Sequence, residues 1–196
     1  MKRVLLLLSD GFEAFEAAAF TDVLGFASAF GDEEIEVVTI GLHPQLNCTF
    51  GFTVVPEMQI EGLDPADFDA LAIPGGFKKA GFYEDAYSER FLDVIREFSS
   101  AGKAVAAICT GGLPVARSGV LAGRRATTYH LLDGVRRQEM AEMGATVVDE
   151  SIVEDGRFVT STSPATAADV AFRLLGILTT EENVAKTRHA MGFDRS

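Results

Sequence analysis

The chain has no tryptophan, two cysteines and three histidines among its 196 residues, and each scarcity excludes something. Cys48 and Cys109 are too few for a disulfide framework, so both thiols are expected to be free in a reducing, cytoplasmic setting. Lys and Arg number 17 against 29 Asp and Glu, and the resulting formal charge of −12 repels phosphate backbones and anionic lipid. Neither nucleic acid nor a membrane surface is therefore an expected partner. No apolar run has the length of a membrane span, and Val4 to Leu8, although it follows Lys2 and Arg3, is too short for a signal peptide's hydrophobic region. No grouping of Cys, His and carboxylates has metal-ligand spacing, and neither a GxGxxG fingerprint nor a P-loop occurs, so no metal and no cofactor are expected. Repeats, low-complexity stretches and Pro/Gly linkers are also lacking, and the length suits one domain over 1–196, with 181–196 as a C-terminal helix and tail.

What is present is an alternation of strand and helix patterns. Residues 2–8 read as a strand buried on both faces, and SDGFE breaks it and opens a helix over 13–30 that Gly31 closes. Strands are expected at 35–40, 52–55 and 69–73, and Phe91, Leu92, Ile95 and Phe98 fall at helical spacing before Gly102. A strand over 103–108 runs into CTGG and a helix over 113–118. Beyond it come strands at 126–128 and 146–148, a helix over 135–143, and long helices at 165–178 and 181–190. VEDGRFVT signals a hairpin, with Asp155-Gly156 placed to supply the two positive-φ positions of a type I′ turn. The pattern predicts an α/β sandwich in which helices cover both faces of a mostly parallel sheet, with a small antiparallel hairpin attached. Ligands in such folds bind beyond the carboxyl ends of the strands, where SDGFEAFE, IPGG and ICTGG all lie.

Of these, ICTGG carries the most chemistry. AAICTGG resembles a nucleophile elbow, in which small residues let a strand turn sharply into a helix and present the side chain at the turn, here Cys109. The amides that follow, beginning with Thr110, and the field of the helix N-terminus are expected to lower the thiol pKa. The plainer reading, a small buried hydrophobe, does not account for a strand and a Thr-Gly-Gly flanking one cysteine. Cys48, in PQLNCTFG, keeps that plainer reading. Pro74-Gly75-Gly76 is a common turn, but opposite a cysteine its Gly75 and Gly76 amides become candidates for an oxyanion hole. Glu13 and Glu16 lie three apart on one helix face, and both suit its positive end. His43 and His189 read as surface residues.

The ordered set RVLLLLSDGFEAFE, DALAIPGGF, GKAVAAICTGG, GRRATTYH and GRFVTSTSPATAADVAF resembles the ThiJ/PfpI superfamily over nearly the whole chain. That resemblance implies a flavodoxin-like fold related to class I glutamine amidotransferases. It puts the reactive cysteine at Cys109, a buried glutamate at Glu16, and oxyanion amides at Gly75, Gly76 and Thr110. Glu16 would then stay protonated beside sulfur and support a thiolate. Two departures stand out. Thr127-Thr128 is followed by Tyr129, with His130 one place beyond where the deglycase branch has histidine, and on a strand that shift turns the ring to the other face. Tyr129 and His130 both remain candidates. Thr110 also replaces the histidine that follows the cysteine in the protease-like branch, so proteolysis ranks low.

The resemblance implies addition of Cys109 to small reactive carbonyls, in glyoxalase- or deglycase-like chemistry that needs no glutathione. A redox-sensing protein whose Cys109 is oxidised is the alternative from another class. Isonitrile hydratase-like or other C–N hydrolysis is a third. A homodimer is implied as well, and Gly25 would permit close helix contact, either between chains or within one.

Overall fold

Alternate side chains of the run Val4 to Leu8 point to opposite sides of the sheet, and both sides are buried. Val4, Leu6 and Leu8 meet Phe20, Leu24, Val170 and Leu174 in one core. Leu5 and Leu7 meet Phe91, Ile95, Phe98 and Leu113 in the other. Each large side chain so enclosed contributes roughly 1.5–3 kcal/mol. The strand therefore carries no polar side chain between Val4 and Leu8.

The structure is a computed structural model and describes residues 1–194. Its strands are β1 (Lys2–Leu8), β2 (Ile35–Gly41), β3 (Leu46–Asn47), β4 (Thr53–Val54), β5 (Met58–Gln59), β6 (Ala70–Ile73), β7 (Ala104–Ala107), β8 (Arg125–Ala126), β9 (Thr146–Val147), β10 (Ile152–Asp155) and β11 (Phe158–Ser161). Its helices are α1 (Ala14–Phe30), α2 (Phe82–Ala86), α3 (Glu89–Ser100), α4 (Gly112–Arg117), α5 (Val135–Glu142), α6 (Ala167–Leu178) and α7 (Glu181–Ala190). The main sheet has seven strands in the order β10-β11-β7-β6-β1-β2-β5. It is parallel throughout except for the β10–β11 hairpin at its edge. Helices α1 and α6 cover one face, with α7 against α1, while α3 covers the other. This is the predicted α/β sandwich of flavodoxin-like type. Of the expected tail, residues 195–196 lie outside the described residues.

Three local expectations change. The hairpin pairs Asp155 with Phe158, so its central residues are Gly156 and Arg157, and of these only Gly156 has positive φ, at 63°. That is the Gly-X pattern of a type II′ turn rather than type I′. Asp155 instead accepts from the Arg125 amide at 2.8 Å. The strand expected at 126–128 ends at Ala126 and pairs with β9 in a separate two-stranded sheet. The threonines beyond it are committed elsewhere, with the Thr127 amide on Thr160 Oγ1 and the Thr128 hydroxyl on the Cys109 carbonyl. Gly31 closes α1 in an extended conformation, not a left-handed one. A Cβ there would come within 2.2 Å of Asn183 Oδ1, which accepts from the Asp32 amide.

Candidate active site

Cys109 is the only non-glycine residue with positive φ among the described residues, at 56°. Such a conformation costs about 1–3 kcal/mol and needs support from its surroundings. β7 leads into it through Ile108, whose amide donates to the Ile73 carbonyl at the end of β6. Behind it, the Gly111 amide closes on the Ile108 carbonyl at 2.8 Å, and Thr128 Oγ1 donates to the Cys109 carbonyl at 2.8 Å. The strand–turn–helix expected from AAICTGG is formed, and the turn is fixed on both sides.

The PGG loop is stitched to this turn backbone against backbone. A Cβ on Gly75 would lie 2.6 Å from Thr110 Oγ1 and 2.9 Å from the Thr110 nitrogen, and one on Gly111 would lie 2.7 Å from the Ile73 carbonyl oxygen. Only glycine fits at either position. The Thr110 hydroxyl accepts from the Gly76 amide and donates to the Gly76 carbonyl, both at 2.9 Å. The Gly75 amide donates to Glu16 Oε2 at 2.6 Å. Both glycine amides, expected as oxyanion donors, are thus already engaged by acceptors of the protein. The Thr110 amide is directed at the Cys109 sulfur.

Glu16, in the first turn of α1, has no exposure to solvent. Its Oε1 has no hydrogen-bond partner of good geometry, and the Cys109 thiol is the neighbouring side chain that acts on the carboxyl. Burial, only partly offset by the hydrogen bonds from Gly75 and Cys109, pushes the carboxyl up to about 8. Cys109 is also raised, first by burial and then by the charge on Glu16, against the pull of Thr110. This reverses the expectation of a lowered thiol pKa. The six residues of α4 offer a weak field, and desolvation of a sulfur only 7% exposed outweighs it. The two groups titrate as a pair, and the carboxyl sits near enough to neutrality to give and take protons. Glu13, also buried, is raised by desolvation and adds its own repulsion to Glu16.

Cys109 and Thr110 open on a cavity of about 350 Å³ whose walls include Gly76, Tyr83 and Tyr129. Tyr129 enters the site and His130 does not. The His130 Nδ1 is buried without a partner, and the ring lies toward Asp149, which pairs with Arg137 at 2.8 Å. The face-alternation rule does not apply here, because the strand has ended before Thr127. Reading along the sequence missed Lys78, Lys79, Tyr83 and Arg136, which also line this cavity. Lys78 and Lys79 were within reach, since they directly follow PGGF, but Arg136 on α5 has no motif to mark it. Of the residues set aside, Cys48 is buried and bridges to Phe12. His43 pairs with Asp85 and His189 with Asp194, both outside the cavity. No group of three His, Cys, Asp or Glu able to hold a metal occurs among the described residues.

A model of the DJ-1/PfpI family matches residues 2–176. The chain belongs to the DJ-1/PfpI family. It is 28% identical over 193 residues to the DJ-1alpha protein of Drosophila melanogaster, covering 97% of this chain and 83% of that protein. A deglycase of Pyrococcus abyssi is 35% identical over 163 residues, covering 83% of this chain and 90% of the relative. The crystal structure of Drosophila melanogaster DJ-1beta superposes with a TM-score of 0.83 at 26% identity, covering 97% of both chains. The DJ-1/PfpI fold thus brings together a strained cysteine turn, a buried carboxyl and a cavity.

Proposed function

We propose that this chain is a cysteine-nucleophile enzyme acting on small reactive carbonyls in glyoxalase- or deglycase-like fashion. The observation that carries this reading is the Cys109 turn facing a buried carboxyl, held near pH 8, at the mouth of a cavity. With methylglyoxal, Glu16 as carboxylate takes the thiol proton while sulfur bonds to the aldehyde carbon. The carbonyl electrons go to oxygen, which receives that proton back from Glu16, and the Thr110 amide is the nearest backbone donor to the developing oxyanion. Glu16 then removes the hydrogen from the former aldehyde carbon and returns it to the neighbouring one, while the hydroxyl proton on the first carbon's oxygen passes to the ketone oxygen, turning the hemithioacetal into a lactoyl thioester. Water hydrolyses the thioester to lactate and frees the thiol. The net reaction is methylglyoxal plus water to lactate, with no other reactant.

Lactate formation without glutathione tests this directly. Cys109→Ser is expected to lower the rate by about a thousandfold or more, as loss of a nucleophile commonly does. Undiminished turnover in that variant would overturn the reading. A second reading, oxidation sensing, is favoured by the absence of an imidazole at the sulfur, since His130 lies outside the cavity. Gain of two oxygens on Cys109 under mild peroxide, with no lactate formed, would select it.

Assembly as a homodimer belongs to the same proposal. Phe15, Ala18, Gly25 and Ala29 form an exposed face of α1, and a Cβ on Gly25 would find no atom within 4 Å. Gly25 packs against nothing within its own chain, which supports close approach of a second copy at this face. Sedimentation equilibrium at the monomer mass would refute it.

A further inference from the structure

The cavity beside Cys109 concentrates positive charge in a chain whose formal charge is −12. Lys78, Lys79 and Arg136 line it, opposed by the single acid Asp133. Arg136 is held in place by Glu139, with Nη1 2.6 Å from each carboxylate oxygen, and its guanidinium stands 5.2 Å over the Tyr83 ring. Lys78 and Lys79 have no such neutralising partner among the described residues. The lysines that form ion pairs among the described residues are Lys2 and Lys186. Both cavity lysines sit in one 3-10 turn that begins after Phe77, the neighbour of Gly76, which is tied on both sides to Thr110. The loop that braces the cysteine turn is therefore also the loop that carries the lysines.

Tyr83 adds a donor without an acceptor. Its phenol oxygen is buried beside the Thr110 side chain and makes no hydrogen bond of good geometry. Burial pushes its pKa up, so the phenol keeps its proton and can donate it to an acceptor that enters the cavity. Phe77 and Leu132 supply apolar wall between the polar groups.

Resting on the reading of Cys109 as nucleophile, we propose that its carbonyl substrates carry an anionic group, a carboxylate or phosphate, received by Lys78, Lys79 and the Tyr83 hydroxyl with Arg136 behind them. The negative surface repels such compounds elsewhere, while the lysines give them one favourable entry, so charge both steers and selects. Uncharged dicarbonyls would be accepted without this gain.

The test compares iodoacetate with iodoacetamide as alkylating agents of the full chain, with peptide mass mapping to separate Cys109 from Cys48. The two reagents share a leaving group and differ by a carboxylate in place of an amide, so their rate ratio does not depend on the thiolate fraction. The neutral thiol N-acetylcysteinamide gives the reference ratio. At low ionic strength the iodoacetate-to-iodoacetamide ratio at Cys109 is expected to exceed the reference by roughly three- to tenfold, and to approach it in about 0.5 M salt. In K78E/K79E it should fall to the reference or below. A wild-type ratio at or below the reference overturns the proposal, as does failure of both reagents to reach Cys109. A chain that shows the raised ratio but makes no lactate keeps the anion site and loses the glyoxalase reading. Lactate formation with an ordinary ratio does the reverse.

Discussion

Two concavities of this molecule differ in a way that size alone does not reveal. The wider, about 630 Å³, is a groove lined by parts of β10, α6 and α7, and the one at Cys109 is about 350 Å³. In the groove both arginines are paired, Arg173 with Glu154 and Arg188 with Asp169, so its electrostatics are settled within the protein. Among the described residues, the smaller cavity holds a strained cysteine, a phenol with no hydrogen bond of good geometry, two lysines without ion-pair partners and, behind the sulfur, a carboxyl with one oxygen unpaired. Polar groups left unsatisfied by the fold are available to a ligand, whereas charges already paired within the protein must first give up their partners.

Glu16→Gln gives the largest effect expected to separate the two regions. Glu16 has a folded pKa of about 8 against an ordinary 4.5, so its stabilising contribution is complete below pH 4.5 and is lost as pH rises through 8. The unfolding free energy of the wild type from urea titration should therefore decline between pH 5 and 8.5 by on the order of a few kcal/mol more than that of the variant, which has no proton to lose. Parallel profiles would mean that the carboxyl is not held in its protonated form. The same titration sets activity in the opposite direction. kcat/KM for methylglyoxal should rise with pH through about 8 as Glu16 becomes a base, and a flat profile there would remove it from the proton transfers.

Glycine substitutions give a smaller contrast. Gly75→Ala forces a methyl against the Thr110 nitrogen and hydroxyl and should cost about 1–3 kcal/mol together with most of the turnover. In the groove, a Cβ on Gly176 would meet Glu181 at 3.4 Å and Val184 at 3.5 Å, and the position is interior to α6. Gly176→Ala should therefore stabilise by about 0.5–1 kcal/mol, read as a higher urea midpoint, with lactate formation unchanged. Equal effects of the two substitutions would erase the distinction. Smallest of all, Arg173→Ala removes a half-exposed ion pair and should shift stability by less than about 1 kcal/mol.

Much of this was legible along the chain because it is local. β1 shows as an unbroken apolar run since both its faces are covered, and α3 shows in Phe91, Leu92, Ile95 and Phe98 since one stripe of it is buried. The cysteine turn shows because a tight bend between strand and helix needs small neighbours. Failures came where a residue's partner lies far away in sequence. Asp155 looked like a turn residue but serves the Arg125 amide, and Thr127 and Thr128 looked like strand but are bonded to Thr160 and Cys109. No periodicity encodes such commitments.

The sequence by itself determined the alternation of elements, the place of the cysteine turn, its pairing with a glycine loop, and the family. These follow from hydrophobic period and from steric limits that act over a few neighbouring residues. Only the tertiary structure decided that Tyr129 and not His130 lines the cavity, that the Gly75 and Gly76 amides are spent on Glu16 and Thr110, and that burial raises the thiol pKa against the helix field. It alone gathered Lys78, Lys79, Tyr83 and Arg136 around one cavity. Desolvation and charge act through space, and their strength at Cys109 depends on how closely separate loops and helices pack around it.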